Sequence, residues 1–200
     1  MTHSPMNENA MLKYAFKEWA VICKALADGK QALILRKGGI AEAGNTFTPE
    51  HKRFWLYPTY LHQQEHGIKP EMASLLKDAE KDKPPKGTVR LSHFVEVPGD
   101  YHVSDLTKAL LLAPLHLWTE ETVRQRFEYR HPGLYVLPAR VYRMPRHFDL
   151  IETPHYAGCK SWVELEQNVP TEGAVPVLDD KAFNELLRKL DALLNPTAFA

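Results

Sequence analysis

Apolar residues recur along the chain at two spacings, and the alternation between those spacings defines its elements. Leu12, Ala15, Phe16, Trp19, Ile22, Cys23 and Leu26 fall at helical spacing. Asn9 stands before them as an N-cap and Asp28-Gly29 after them as a left-handed stop, so the pattern predicts a first helix over 10–28. Gln31 to Leu35 is a short apolar run bounded by a turn and reads as a buried strand, broken by Gly38-Gly39, with a second turn at Gly44-Asn45. Phe54-Trp-Leu-Tyr57 reads as the next strand, ended by Pro58. Pro70 then opens a helix to Lys83 on the positions Met72, Leu75, Leu76 and Ala79, and Pro84-Pro85 stops it.

Residues 88–97 alternate apolar and polar positions as a long strand does. Two short helices are predicted over 106–112 and 119–129, the second capped by Thr119 with Glu120 and Glu121 in its first turn. Leu134 to Leu137 reads as a strand that continues through Ala139 to Tyr142. Pro138 between the two parts marks a bulge or an edge. Ser161 to Leu165 is a final strand. Asp179 or Asp180 caps an amphipathic helix carrying Phe183, Leu186, Leu187, Leu190 and Leu194. The long strands are not followed by helices of crossover length, which disfavours a regular βαβ array. The expected fold is therefore α+β, a small curved sheet or partly open β-barrel with flanking helices. The strands at 31–36, 54–57, 88–97 and 133–142 are expected to share it. Residues 1–9 are polar and expected to be disordered, leaving one domain over 10–196.

Composition narrows the function classes. The chain has 200 residues, 44% of them hydrophobic, with 25 Lys plus Arg against 25 Asp plus Glu. Zero net charge argues against coating nucleic acid or membrane by bulk charge, and leaves a local basic patch open. The two cysteines, Cys23 and Cys159, are far apart, so neither a disulfide scaffold nor a metal framework is expected. Cys23 sits in an apolar pattern and reads as core. No membrane-length apolar run and no signal-peptide core occur, and the expected location is the cytoplasm, with no membrane partner and no cofactor or metal.

Chemistry-bearing residues concentrate between positions 36 and 63. Arg36-Lys37-Gly38-Gly39 places two cations at a strand exit beside two glycines that let backbone amides approach an anion. It is not a P-loop, and a solvated turn is the competing reading. His51 and Arg53 precede the 54–57 strand, and Tyr60, His62 and Gln63 follow it. Tyr60 could stack on a base while Gln63 reads its edge. Arg36, Lys37 and Arg53 would then hold phosphate, Gly38 and Gly39 would allow close approach, and His51, Tyr60, His62 and Gln63 would line a base pocket. Possible partners on this reading are RNA or DNA. Two alternatives stay open. One is a hydrolase acting on a nucleobase or nucleic acid, with His51 or His62 as general base and Glu50 orienting it. The other is a protein-interaction module using an exposed apolar stripe at 183–194. Ser161 and Trp162 read more simply as structural, because no nucleophile elbow surrounds the serine, and the lysine- and proline-rich stretch 81–86 reads as a solvated connector.

Several segments carry family resemblances. Phe16 to Ala20, Leu35 to Gly39, Glu50 to Phe54 and Tyr57 to Gln63 resemble an uncharacterised bacterial family, the domain of unknown function 1802. Leu117-Trp118, Arg140 to Tyr142 and Gly158 to Trp162 resemble its second half. A link of that family to restriction–modification loci would point towards DNA. Trp19, Asp28-Gly29-Lys30 and Leu33 to Arg36 are also similar to the opening of ASCH domains in the PUA-like group. That resemblance implies a small barrel with flanking helices and a cleft for RNA or modified bases. Some ASCH proteins are amidohydrolases using a Lys and a Glu where this chain has Gln31 and Ile34. The resemblance therefore implies binding more than catalysis, with Arg36 retained.

Overall fold

The first apolar run divides where one helix is predicted. Met11–Trp19 forms strand β1, and only Ala20–Ala27 forms helix α1. The reason lies in what surrounds the run. Ala15 and Phe16, adjacent in sequence, point to opposite faces of a sheet, and both are fully buried. A strand covered on both sides shows no clean alternation, so its apolar positions match a helical template by accident. Tyr14, Phe16 and Trp19 favour the pleated surface once partners exist on both sides. α1, AVICKALA, is apolar nearly all round and is buried accordingly. Gly29 ends it at φ 67°, as Asp28-Gly29 predicts, and a Cβ there would stand 3.1 Å from Leu178.

The computed structural model describes residues 10–37, 51–61, 63, 65–158 and 160–195. Asn9, the remainder of the polar N-terminus, the Gly44-Asn45 turn and Cys159 lie outside them. The remaining elements follow in order: β2 (Leu33–Arg36), β3 (Arg53–Thr59), α2 (Ala73–Lys81), β4 (Thr88–Glu96), β5 (Tyr101–Val103), α3 (Leu106–Leu111), α4 (Glu120–Glu128), β6 (Leu134–Pro138), β7 (Arg140–Ile151), β8 (Trp162–Pro170), β9 (Val175–Pro176) and α5 (Asp180–Leu194). The caps read from sequence are present: Thr119 Oγ1 accepts from the Thr122 N–H at 3.3 Å and the Asp179 carboxylate from the Ala182 N–H at 2.7 Å. The α5 stripe is turned inward, with Phe183, Leu190 and Leu194 buried. The exposed stripe that an interaction module would need is thus absent from the described part of this helix.

The architecture is α+β, without a closed barrel. Six strands form one sheet in the order β8-β1-β3-β4-β7-β9, and three form a second in the order β2-β6-β5. The four segments expected to share one sheet are therefore divided. β3, β4 and β7 lie in the larger sheet, and β2 and β6 pair antiparallel in the smaller. Pro138 is the reason the 133–142 segment is split: the chain leaves one sheet there and enters the other at Arg140. Within the larger sheet β1 runs parallel to β3 and antiparallel to β8. The main apolar cluster joins α1 and both sheets, and a second cluster lies on the other face of the larger sheet around Trp55, Leu91 and Val163.

Two histidines fold into this framework as neutral groups. Burial, aided by Arg143 and Lys24, lowers His93 to about 4, and burial with Lys69 and Arg126 nearby lowers His116 to about 4. A histidine with a depressed folded pKa contributes stability above its unfolded value of about 6.5 and loses it as pH falls towards the folded value. The urea midpoint is therefore expected to fall between pH 7 and pH 5, and His116→Gln should flatten that fall. A wild-type midpoint constant across the window would contradict the placement of both rings.

Candidate nucleic-acid interface

The strand directions bring five chain segments to one end of the larger sheet. β1 and β3 finish there in parallel register, with Lys17 beside Tyr57, Glu18 beside Pro58 and Trp19 beside Thr59. β4, antiparallel to β3, begins there; β7, antiparallel to β4, ends there, followed by Glu152; and Ser161 stands just before β8. Arg36 at the end of β2 and Arg126 on α4 close the inner side, while Lys83 to Gly87 form an outer wall. The space between is a cleft of about 1050 Å³.

The lining is strongly one-signed. Lys17, Arg36, Lys83, Lys86, Arg90, Arg126 and Lys160 face it against two carboxylates, Glu18 and Glu152. Two of the seven also meet carboxylates outside the lining: Arg90 forms a two-bond pair with Asp149 at 2.8 Å, and Lys83 pairs with Glu80 at 3.9 Å. In a chain of zero net charge this is a local concentration of cations. They are of two kinds. Lys83, Lys86 and Lys160 are exposed on the rim. The inner ones are fixed by the fold. The Lys17 ammonium donates to the carbonyls of Tyr156 and Gly158. Arg36 stacks 4.8 Å over Phe16 and donates to the Ser161 hydroxyl. Arg126 lies 3.7 Å over the Trp118 ring and 5.9 Å from that of Trp19, and donates to the Leu35 carbonyl at 3.4 Å. Burial and the nearby Arg36 lower its proton affinity, and Glu18 offsets part of this. Aromatic surface accompanies the charge. Tyr60 is half-buried, with Lys83 4.9 Å over its ring, and burial pushes its hydroxyl up to about 12. Tyr57 donates to Glu152 at 3.2 Å, and its pKa is raised by burial and that carboxylate.

Of the residues singled out by sequence, Arg36 and Tyr60 line this cleft. Lys37 does not: it donates to the carbonyls of Phe127, His131 and Gly133 and ties β2 to the C-terminal end of α4. Arg53 pairs with Glu96 at 2.9 Å at the far end of β3, about 20 Å of strand from Thr59. His51 stacks on Tyr14 at 3.5 Å and meets Trp162 edge-on. Gln63 accepts from the Val21 N–H in the first turn of α1 and donates to Glu80, a structural role. Gly38, Gly39, His62 and Glu50 lie outside the described residues. No described histidine lines the cleft, and the described residues hold no cluster of metal-ligating type.

Sequence reasoning missed Lys17 and Glu18, which the helical reading hid. It also missed Arg126, which sits on a helix with an ordinary amphipathic pattern. Lys83 and Lys86 belong to a stretch that reads as a solvated connector, and Ser161 reads as structural. The paired prolines Pro84-Pro85 are the one signal that this stretch is held rigidly.

Fold and cleft together define an α+β protein with a cationic cleft across one end of its larger sheet. The chain belongs to the family described as a domain of unknown function, DUF1802, whose model matches residues 15–189. No curated protein matches it. Among solved structures it is similar to an ASCH protein from Zymomonas mobilis, at 14% identity over 88% of this chain and 93% of that one, with a TM-score of 0.40. A tyrosine-to-phenylalanine mutant of that protein matches at 11% identity over 88% and 96%, with a TM-score of 0.45. A serine-to-alanine mutant matches at 14% over 88% and 94%, with a TM-score of 0.42. No helix among the described residues is long and apolar enough to cross a membrane.

Proposed function

We propose that the chain is a nucleic-acid-binding module that holds a single strand, RNA or DNA, along this cleft. One observation carries the reading: seven cationic side chains against two carboxylates around a single cleft, in a chain whose total charge is zero. Rim lysines are placed to follow a phosphodiester backbone, and Tyr60, with the exposed Leu61 and the Pro84-Pro85 wall, supplies faces for unstacked bases. Arg36 and Tyr60 keep the roles read for them in the sequence. Lys37, Arg53, His51 and Gln63 pass to structural roles. An acid–base hydrolase drawing on His51 has no support from its placement.

Labelled RNA, single-stranded DNA and duplex DNA of one sequence, titrated at low salt, test the reading. Single strands are expected to bind more tightly than duplex, and Tyr60→Ala should weaken them by about 1–3 kcal/mol, the usual value of one base–aromatic stack. Absence of binding by any of the three would end the proposal.

A further inference from the structure

Glu18 and Arg126 both line the inner end of the cleft. Glu18 is largely buried, and its Oε1 accepts from the Trp19 N–H at 2.8 Å. Among the described residues no donor meets the other oxygen, Oε2, and that oxygen is not sealed from solvent. Arg126 is fixed flat on Trp118, which occupies one face of the guanidinium and leaves its in-plane N–H groups to donate. Nη1 makes the long contact to the Leu35 carbonyl. Nε and Nη2 have no hydrogen-bond partner among the described residues, and neither is sealed from solvent. Glu18 lies near enough to favour the charge on Arg126, yet no ion pair joins the two. A charged acceptor and a forked donor thus stand side by side at the inner end of the cleft, each held by the fold.

A group that joins them needs donors towards Glu18 and an acceptor towards Arg126. A phosphate has no donor, and the carboxylate opposes its charge. The half-buried Trp19 indole lines the same end and favours a flat group. The bases of a strand are flat, and their edges differ in the order of donors and acceptors. Guanine presents N1–H and the N2 amine as adjacent donors, with the O6 acceptor on the other side of N1–H. Uracil and thymine flank their one ring N–H by two carbonyl oxygens, which repel a carboxylate. Adenine sets its amine between two acceptor nitrogens, and cytosine sets its amine beside one. Guanine alone offers a carboxylate two neighbouring donors, and its O6 is an acceptor that arginine commonly takes.

We infer that Glu18 and Arg126 form a guanine-reading site at the inner end of the cleft, with Glu18 accepting from N1–H and the N2 amine and Arg126 donating to O6. This rests on the strand-binding reading above, and the test separates the two. Labelled oligouridine and oligothymidine strands carrying one central guanine, hypoxanthine, adenine or cytosine are titrated at low salt. The proteins are wild type, Glu18→Gln, Arg126→Lys and Lys83→Ala/Lys86→Ala. In wild type the guanine strand is expected to bind about tenfold more tightly than the adenine and cytosine strands, within the usual discrimination of one bidentate contact. Hypoxanthine lacks the N2 amine and should fall between them. Glu18→Gln keeps the shape and removes the charge, and should bring the ratio of guanine to adenine binding close to one. Arg126→Lys keeps the charge and loses the fork, and tests the same point should Glu18→Gln not fold. The rim double variant should weaken all strands alike and keep the ratio. Equal binding of the guanine and adenine strands to wild type overturns the inference and leaves strand binding standing. So does hypoxanthine bound as tightly as guanine, or a guanine preference undiminished in either inner variant that folds. No binding of any strand at low salt overturns both.

Discussion

Replacing Lys83, Lys86 and Lys160 together by alanine is expected to weaken single-strand binding about 400-fold at 50 mM salt while leaving the fold intact. All three side chains are exposed, so their removal leaves no buried group without a partner. Each phosphate contact on a single strand releases counterions worth about −0.7 in the slope of log affinity against log salt. Removing the three rim lysines removes three such contacts and makes the slope shallower by about 2. That change of about 2, carried over the roughly twentyfold interval from 1 M to 50 mM salt, is the predicted loss. Filter binding or anisotropy over a salt series measures both quantities. An unchanged slope in the triple variant would mean that the strand, if bound, lies elsewhere on the surface.

How much of this was legible in the sequence depended on whether a signal was local. Caps at Thr119 and Asp179, the glycine stop at Gly29 and the proline boundaries at Pro70 and Pro84 act through neighbouring residues, and they are where the sequence places them. Strand partnership is not local. Leu33 to Arg36 and Phe54 to Tyr57 have the same apolar, turn-bounded character, yet they enter different sheets. That one fact separates Arg53 from Arg36, because the β3 end that joins the cleft is the one carrying Tyr57 to Leu61. The helical reading of residues 10–28 failed for a related reason: β1 is sandwiched, so both its faces are apolar and its period is masked. With it went Lys17 and Glu18, which reach the cleft only because the strand carries them to its end. Arg126 shows the limit from the helix side. Its position on α4 reads as a solvated face, and only the packing of that helix against Trp118 draws the guanidinium inward.

Trp118 links the stability of the fold to the chemistry of the cleft, and Trp118→Ala is expected to damage both. The indole is 1% exposed. It meets Trp19 edge-on, with ring centroids 4.9 Å apart, and its backbone bridges to Ile68. Truncating a buried aromatic of this size costs about 3–5 kcal/mol through lost transfer energy and the cavity left behind. Its other face supports the Arg126 guanidinium, so the variant also removes the surface that fixes the fork. Trp118→Phe separates the effects. It keeps an aromatic plane beneath Arg126 and much of the packing, and should cost less than alanine while preserving most of the strand affinity. Urea unfolding reports the stabilities. Titration of a labelled single strand, at a temperature where each variant is folded, reports the binding. A loss below about 1 kcal/mol for Trp118→Ala would show that the indole is not core. Equal strand affinity in the alanine and phenylalanine variants would show that the stacked arginine takes no part in binding.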